Sequence, residues 1–255
     1  MHLHLPEIDE FSHLNSPIHS WDARVKIVSL LCLIISIVIL DKILPALFGF
    51  SLCVILAFIS RIPFRFLFAY LRWVFFFALF FVIIMPLTVA GDEVARFYFL
   101  SISKDGVELS FLIALRAISV AMIILPMVGT SRFAVTMKAL QNLKIPDKLI
   151  QMVVFAYRYI FIFIEEIERM FTAAKVRAFR EKTDLNTLRT VGFILGMLFV
   201  LSYERAKRVY DAMLARGYTG ELKILHEFNL CFRDFVKGFI IVALAILLQV
   251  VAYLL

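Results

Sequence analysis

Long apolar blocks, broken by short charged interruptions, dominate this chain. Val25 to Leu40 (VKIVSLLCLIISIVIL) reads as a first membrane crossing and Leu44 to Ile59 as a second, because each would form a helix approaching the ~30 Å thickness of a bilayer core. The Asp41-Lys42 interruption between them is too short for anything but a hairpin. Trp73 to Ala90 supplies a third, Phe-rich crossing, Leu109 to Val128 a fourth and Phe235 to Leu255 a fifth.

From Ser131 to Phe228 the pattern changes. Apolar turns continue, but charges now enter at helical spacing, as in Tyr157-Arg158-Tyr159 and Glu165-Glu166-Ile167-Glu168-Arg169, which predicts long amphipathic helices. Pro146-Asp147 suits the first turn of one running to about Arg180, and Asp184, three residues before Thr187, suits the cap of a second ending at Gly217. The segment is expected to lie on the cytoplasmic face with its upper turns sunk into the membrane. Gly192 and Gly196 form a GxxxG pair that would let another helix approach closely.

Composition supports the membrane reading: of 255 residues, 62% are hydrophobic and 18% charged, and mean hydropathy is +0.92. The expected fold is an all-α, polytopic membrane protein. Its organisation would be a cytoplasmic segment over 1–24, four crossings over 25–130, cytoplasmic helices over 131–228 and a last crossing over 229–255. The net charge of +7 does not point to nucleic acid, since Lys and Arg are spread between apolar spans. They set orientation instead. Arg24 and Lys26, the cluster Arg61, Arg65 and Arg72, and Arg132, Lys138, Lys144 and Lys148 fall on one side. The Asp41 turn and a net-acidic loop with Asp92, Glu93, Asp105 and Glu108 fall on the other, which predicts N-in and C-out. Cys32, Cys53 and Cys231 form no CxxC and make an odd count, so neither a disulfide framework nor a zinc site is indicated. The polar, acid-containing segment before Val25 is unlike a short basic signal peptide, so no cleavage is expected.

One internal repeat carries chemistry. RMFTAAKVRAF at 169–179 aligns with RVYDAMLARGY at 208–218: Arg169, Ala173 and Arg177 meet Arg208, Ala212 and Arg216, and Glu165 falls opposite Glu204. Each copy ends a predicted helix with an arginine between small residues, Val176 and Ala178 in the first, Ala215 and Gly217 in the second. Small neighbours leave the guanidinium open to a partner, and its planar fork suits a carboxylate better than a lysine does. A cation at a helix end is explained by the helix dipole, and Gly217 by a C′ cap, in either copy alone. Repetition of the arginine with Ala173/Ala212 and Phe179/Tyr218 at fixed offsets points instead to two equivalent plugs.

These residues resemble a known family, the transmembrane T component of energy-coupling-factor transporters, CbiQ/EcfT, and its cobalt/nickel branch in particular. Ser16-Pro17-Ile18-His19-Ser20-Trp21-Asp22-Ala23-Arg24-Val25-Lys26 is similar to the family's opening SPLHxLDPRxKL, with Ala23 in place of proline. Thr130 through Leu140, Ile145-Pro146 and Tyr157-Arg158-Tyr159 resemble its central signature, and AMLARGYTG at 212–220 its most specific motif. AAKVRAF departs from Ala-Arg-Gly at Val176 and Ala178. The resemblance implies that 131–228 are coupling helices, and that Arg177 and Arg216 dock into two cytoplasmic ABC-type ATPases while the membrane part holds a separate substrate-binding subunit. It implies a multi-pass protein of a bacterial or archaeal inner membrane, with no cofactor of its own. Consistently, no GxxxxGK[ST] phosphate loop occurs in the sequence.

Other readings are weaker. His2, His4, His13 and His19 suggest metal capture only superficially, because a metal site needs converging ligands with further support. Arg116, inside the fourth crossing, is expected to make an interhelical contact; Arg158 and Glu165 are expected to pair with Glu204 or with each other. No HExxH, GxSxG or paired acidic motif marks an enzyme. A stand-alone channel or secondary carrier would show polar residues along several spans or inverted repeats, whereas this repeat is direct and short. A T component shared by vitamin-binding subunits would carry similar motifs.

Overall fold

The computed structural model describes residues 16–89, 93–97, 100–180, 182–220 and 232–254. Its helices are α1 (Ala23–Ile39), α2 (Ile43–Ser60), α3 (Phe64–Thr88), α4 (Lys104–Gly129), α5 (Phe133–Asn142), α6 (Asp147–Val176), α7 (Leu185–Ala215) and α8 (Phe232–Leu254). A short antiparallel hairpin, β1 (Glu93–Phe97) and β2 (Leu100–Ser103), joins α3 to α4. This is a helical, multi-pass membrane fold. Two boundaries move relative to the hydropathy reading. The third helix starts at Phe64 and so includes Arg65 and Arg72, and α4 starts at Lys104, where Ser103 caps it by accepting from the Gly106 N–H at 3.0 Å. Hydropathy alone misses these polar first turns.

The chain divides into two compact units: one from the described residues of Met1–Ala139 and His226–Leu255, the other from Leu140–Leu225. In the first, α1 is central. Leu30, Leu33 and Ile37 are fully enclosed, packing with Cys53 and Ala57 of α2, Met122 and Ile123 of α4 and Ile241, Ala245 and Leu248 of α8. Polar bonds tie α1 to α8, from the Ser36 hydroxyl to the Ala245 carbonyl (2.8 Å) and from Gln249 Nε2 to the Ser36 carbonyl (2.8 Å). Helices in lipid gain little from apolar burial against one another, so such bonds and close packing hold them together. Gly106 shows that closeness, since a Cβ there would come within 2.8 Å of the Pro86 Cα.

Among the described residues five helices are long and apolar enough to cross a membrane: α2, α3 over Arg65–Pro86, α4, α7 and α8. The number is the one expected but the membership differs. At 17 residues α1 is the shortest of the expected crossings, and α7 qualifies with the lowest hydropathy of the set, 1.6 against 2.4 to 2.5. Phe193, Phe199 and Tyr203 of α7 stand well exposed, whereas its charges gather over Glu204–Arg208.

In the second unit, α6 and α7 form an antiparallel hairpin. The Tyr218 hydroxyl donates to Gln151 Oε1 (2.6 Å) and Gln151 Nε2 to the Gly220 carbonyl (2.9 Å), fixing the end of α7 beside the start of α6. Further along, Phe155, Tyr159 and Phe163 line a pocket of about 220 Å³ with Ala206, Val209 and Met213. Beyond it Met170 and Ala174 face Ile194 and Met197. Asp184 caps α7 as the sequence predicts, accepting from the Thr187 N–H at 2.8 Å.

Candidate functional site

The two repeated sequences end their helices in the same way. At α6 the Ala178 N–H bonds the Lys175 carbonyl (3.1 Å) and the Phe179 N–H reaches back to the Ala174 carbonyl (3.1 Å). At α7 the Gly217 N–H bonds the Leu214 carbonyl (3.0 Å) and the Tyr218 N–H the Met213 carbonyl (3.0 Å). Both are Schellman caps, with Arg177 and Arg216 as the last half-helical residues. The following residue is left-handed in each, φ +64° at Ala178 and +82° at Gly217. Phe179 and Tyr218 are half-buried, while Arg177 and Arg216 are exposed with no ion-pair partner among the described residues.

Helix termination explains part of the repeat. A Schellman cap wants a small or flexible residue at the left-handed position and an apolar side chain immediately after it. Ala178/Gly217 and Phe179/Tyr218 are therefore accounted for by helix termination alone. The arginines are not. A third cap of the same kind, unrecognised in the sequence, closes α5: Lys144 sits at φ +66°, its N–H bonds the Gln141 carbonyl and the Ile145 N–H bonds the Leu140 carbonyl. Ala139 there matches Ala173 and Ala212, yet the residue matching Arg177 and Arg216 is Leu143. The cap forms without a guanidinium.

The repeat also extends upstream. Glu165 pairs with Arg169 (3.3 Å) and Glu204 with Arg208 (3.6 Å), identical i,i+4 bridges in the two copies. The expected pairing of Glu165 or Arg158 with Glu204 is not found, because the antiparallel arrangement sets Glu166 opposite Arg205 instead (4.0 Å). Arg158 has no ion pair among the described residues. The same arrangement puts the two arginine caps at opposite ends of the hairpin. Arg216 lies near the level of Gln151, and Arg177 is 26 residues further along α6, roughly 40 Å away at 1.5 Å per residue. Ala173 and Val176, like Ala212 and Ala215, are exposed on the turns carrying the arginines. Gly192 and Gly196 have no neighbour among the described residues within 4 Å of where a Cβ would stand, so their face is open within the second unit.

The remaining candidates resolve into structural roles. Arg116 of α4 bonds Asp41 in the α1–α2 turn at 3.2 Å, a structural contact as expected but from helix to turn, not between helices. The amino-terminal motif clamps α8: Trp21 Nε1 donates to the Asp234 carbonyl (3.1 Å) and Lys237 Nζ to the Pro17 carbonyl (3.2 Å). Its last residue, Lys26, is wholly enclosed in the first unit, donating to Thr130 Oγ1 (2.9 Å) and to the Ser131 hydroxyl. These hydroxyls stand at the carboxyl end of α4, whose last turn has no basic residue, so Lys26 supplies the cation which that helix end favours. Its position inside an apolar run concealed this role. His19 contacts Ser16, the other three histidines named above lie outside the described residues, and no cluster fit for a metal is found among the described residues.

Fold and site together define a multi-pass helical membrane protein with an antiparallel hairpin whose opposite ends present matched, unpaired arginines. Residues 14–226 match the family described as cobalt transport protein, CbiQ, and the chain belongs to that family. It is 28% identical over 236 residues to an uncharacterized protein of Methanocaldococcus jannaschii, covering 89% of this chain and 80% of that one. It is 27% identical over 259 residues to the energy-coupling factor transporter transmembrane protein EcfT of Staphylococcus aureus, covering 96% and 97%. The cobalt transport protein CbiQ of Rhodobacter capsulatus is 29% identical over 96 residues, 38% of this chain and 39% of that one.

Proposed function

We propose that the chain is the transmembrane coupling subunit of an ECF-type ABC importer in a bacterial or archaeal cell membrane, working with two cytoplasmic ABC-type ATPases and a membrane substrate-binding subunit. One observation carries the reading: two exposed arginines sit on identical caps at opposite ends of one hairpin, roughly 40 Å apart, a spacing on the scale of two adjacent small protein domains rather than one binding groove. Each arginine would offer its fork to a carboxylate in a groove on one ATPase. ATP-driven approach of the ATPases would then load the hairpin from both ends, and that motion would reach the substrate-binding subunit.

Cobalt uptake is supported by the description of the family and by the name of the R. capsulatus relative, and nickel stands beside it only through the resemblance of the motifs. The alternative is a T component serving substrate-binding subunits for other solutes such as vitamins, since the near full-length match is to an energy-coupling factor transmembrane protein whose name specifies no solute. Photo-crosslinking residues placed at Val176 and Ala215 in the assembled complex test the coupling reading. Each should capture an ATPase, and the doubly substituted chain should yield a product with two ATPases per chain. Capture of none, or of a single ATPase by both positions, would contradict it.

A further inference from the structure

At the end of the first unit that carries the α1–α2 turn, the helices do not finish level. Leu40 and Ala46, on either side of the turn, pack against Leu112 and Leu115 of α4, and Ala252 near the end of α8 joins the same cluster. Further out, Gly106 still packs on Pro86 of α3. The α3–α4 pair therefore continues for about eight residues, roughly 12 Å, past the turn. A cleft of about 740 Å³ fills the resulting step, walled by Asp41 and Lys42 of the turn and by Asp105, Glu108, Leu109 and Arg116 of α4.

Five charged side chains thus face one space beside helices that otherwise suit hydrocarbon. At its floor the Arg116–Asp41 pair lies near the middle of the 26-residue α4, with the Asp41 side chain 92% exposed. An ionised group held in hydrocarbon costs at least ~2.5 kcal/mol, so an open carboxylate here requires a polar filling. Val107 and Phe111 are exposed to a similar degree as Leu109 (45% and 49% against 43%) but lie on another face of α4, about 200° round the helix at 3.6 residues per turn, and do not line the cleft.

We propose that the step is a water-filled vestibule in the outer half of the membrane, open on the face of the α1–α2 turn, through which water and small hydrophilic solutes reach Arg116 from outside. The cleft has room for on the order of twenty waters.

The test uses the full chain, expressed in cells with its partners and otherwise free of cysteine, and an impermeant charged thiol reagent added outside. Leu109→Cys and Ile113→Cys, both at residues lining the cleft, should react at least tenfold faster than Phe111→Cys, although Leu109 and Phe111 are exposed to a similar degree geometrically. Glu108→Cys serves in place of either cleft variant that fails to accumulate. Equal rates for Leu109→Cys and Phe111→Cys would mean that the helix tip stands in open water. Protection of the cleft positions in cells but not in detergent would mean that lipid or a partner fills the step, and reaction only from inside would reverse its orientation. Any of these three results overturns the proposal.

Discussion

Exchanging the left-handed cap residues isolates what termination alone contributes. Gly217 has φ +82° with nothing within 4 Å of a Cβ, so Gly217→Ala adds no clash and its cost is purely conformational. A left-handed L-residue costs roughly 1–2 kcal/mol, partly offset by the greater freedom glycine has when unfolded, which leaves a net loss of about 1 kcal/mol. Ala178, at φ +64°, already carries that strain, so Ala178→Gly should gain a similar amount. With RT near 0.59 kcal/mol, each change alters the opening equilibrium of the last turn about fivefold. Site-resolved hydrogen exchange reads this directly. Protection of the Tyr218 N–H, bonded to the Met213 carbonyl, should fall about fivefold in Gly217→Ala, and that of the Phe179 N–H, bonded to the Ala174 carbonyl, should rise about fivefold in Ala178→Gly. Changes of the same sign at both ends, or none, would refute the cap assignment and with it the inference that Arg177 and Arg216 are present for another purpose.

Lys26 predicts an order of stabilities. Replacing both Thr130 with Val and Ser131 with Ala leaves a buried ammonium without acceptors, at about 1–3 kcal/mol per lost bond, and should lower the melting temperature in detergent more than Lys26→Met does; the reverse order would contradict the placement. Hydrogen bonds from the Thr187 N–H and then its hydroxyl hold the Asp184 carboxyl below its ordinary 3.8. Because the folded value is depressed, the cap is fully present above pH 3.8 and is lost as pH falls through the lower folded value. The Thr187 amide should therefore titrate with a midpoint below 3.8 and lose its pH response in Asp184→Asn. For topology, an impermeant thiol reagent added outside should label Tyr253→Cys but neither Thr183→Cys nor Thr219→Cys. Labelling of one of the latter pair alone would mean that α7 crosses the membrane.

Much of this was legible in the sequence because lipid imposes long apolar runs and because Pro146-Asp147 and Asp184…Thr187 are local signals that act where they stand. What was not legible depended on partners distant in the chain. Lys26 looks like an interruption of an apolar run until Thr130 and Ser131 are placed beside it. Arg116 looks costly in mid-helix until Asp41 is found level with it. The α5 cap escaped notice because Lys144 at a left-handed position carries no glycine signature. The aromatic two residues after each arginine looks in the sequence like part of a docking motif, whereas a cap explains it, and the antiparallel placement that separates the two arginines by the length of the hairpin follows only from the pairing of Gln151 with Tyr218.

In the proposed function Arg177 and Arg216 are the two points at which the chain engages a pair of ATPases. The decisive measurement compares Arg177→Ala with Arg216→Ala, beside the corresponding pair of lysine substitutions, in cells expressing the whole transporter. Losing a desolvated charged partner costs ~2–5 kcal/mol at each site, so both ATPases should fail to co-purify and uptake should all but vanish. Abundance in the membrane should stay near normal, since both side chains are exposed and unpaired, and lysine should rescue poorly because it lacks the planar fork. Normal uptake by the double alanine variant with both ATPases bound would show that the arginines only finish their helices.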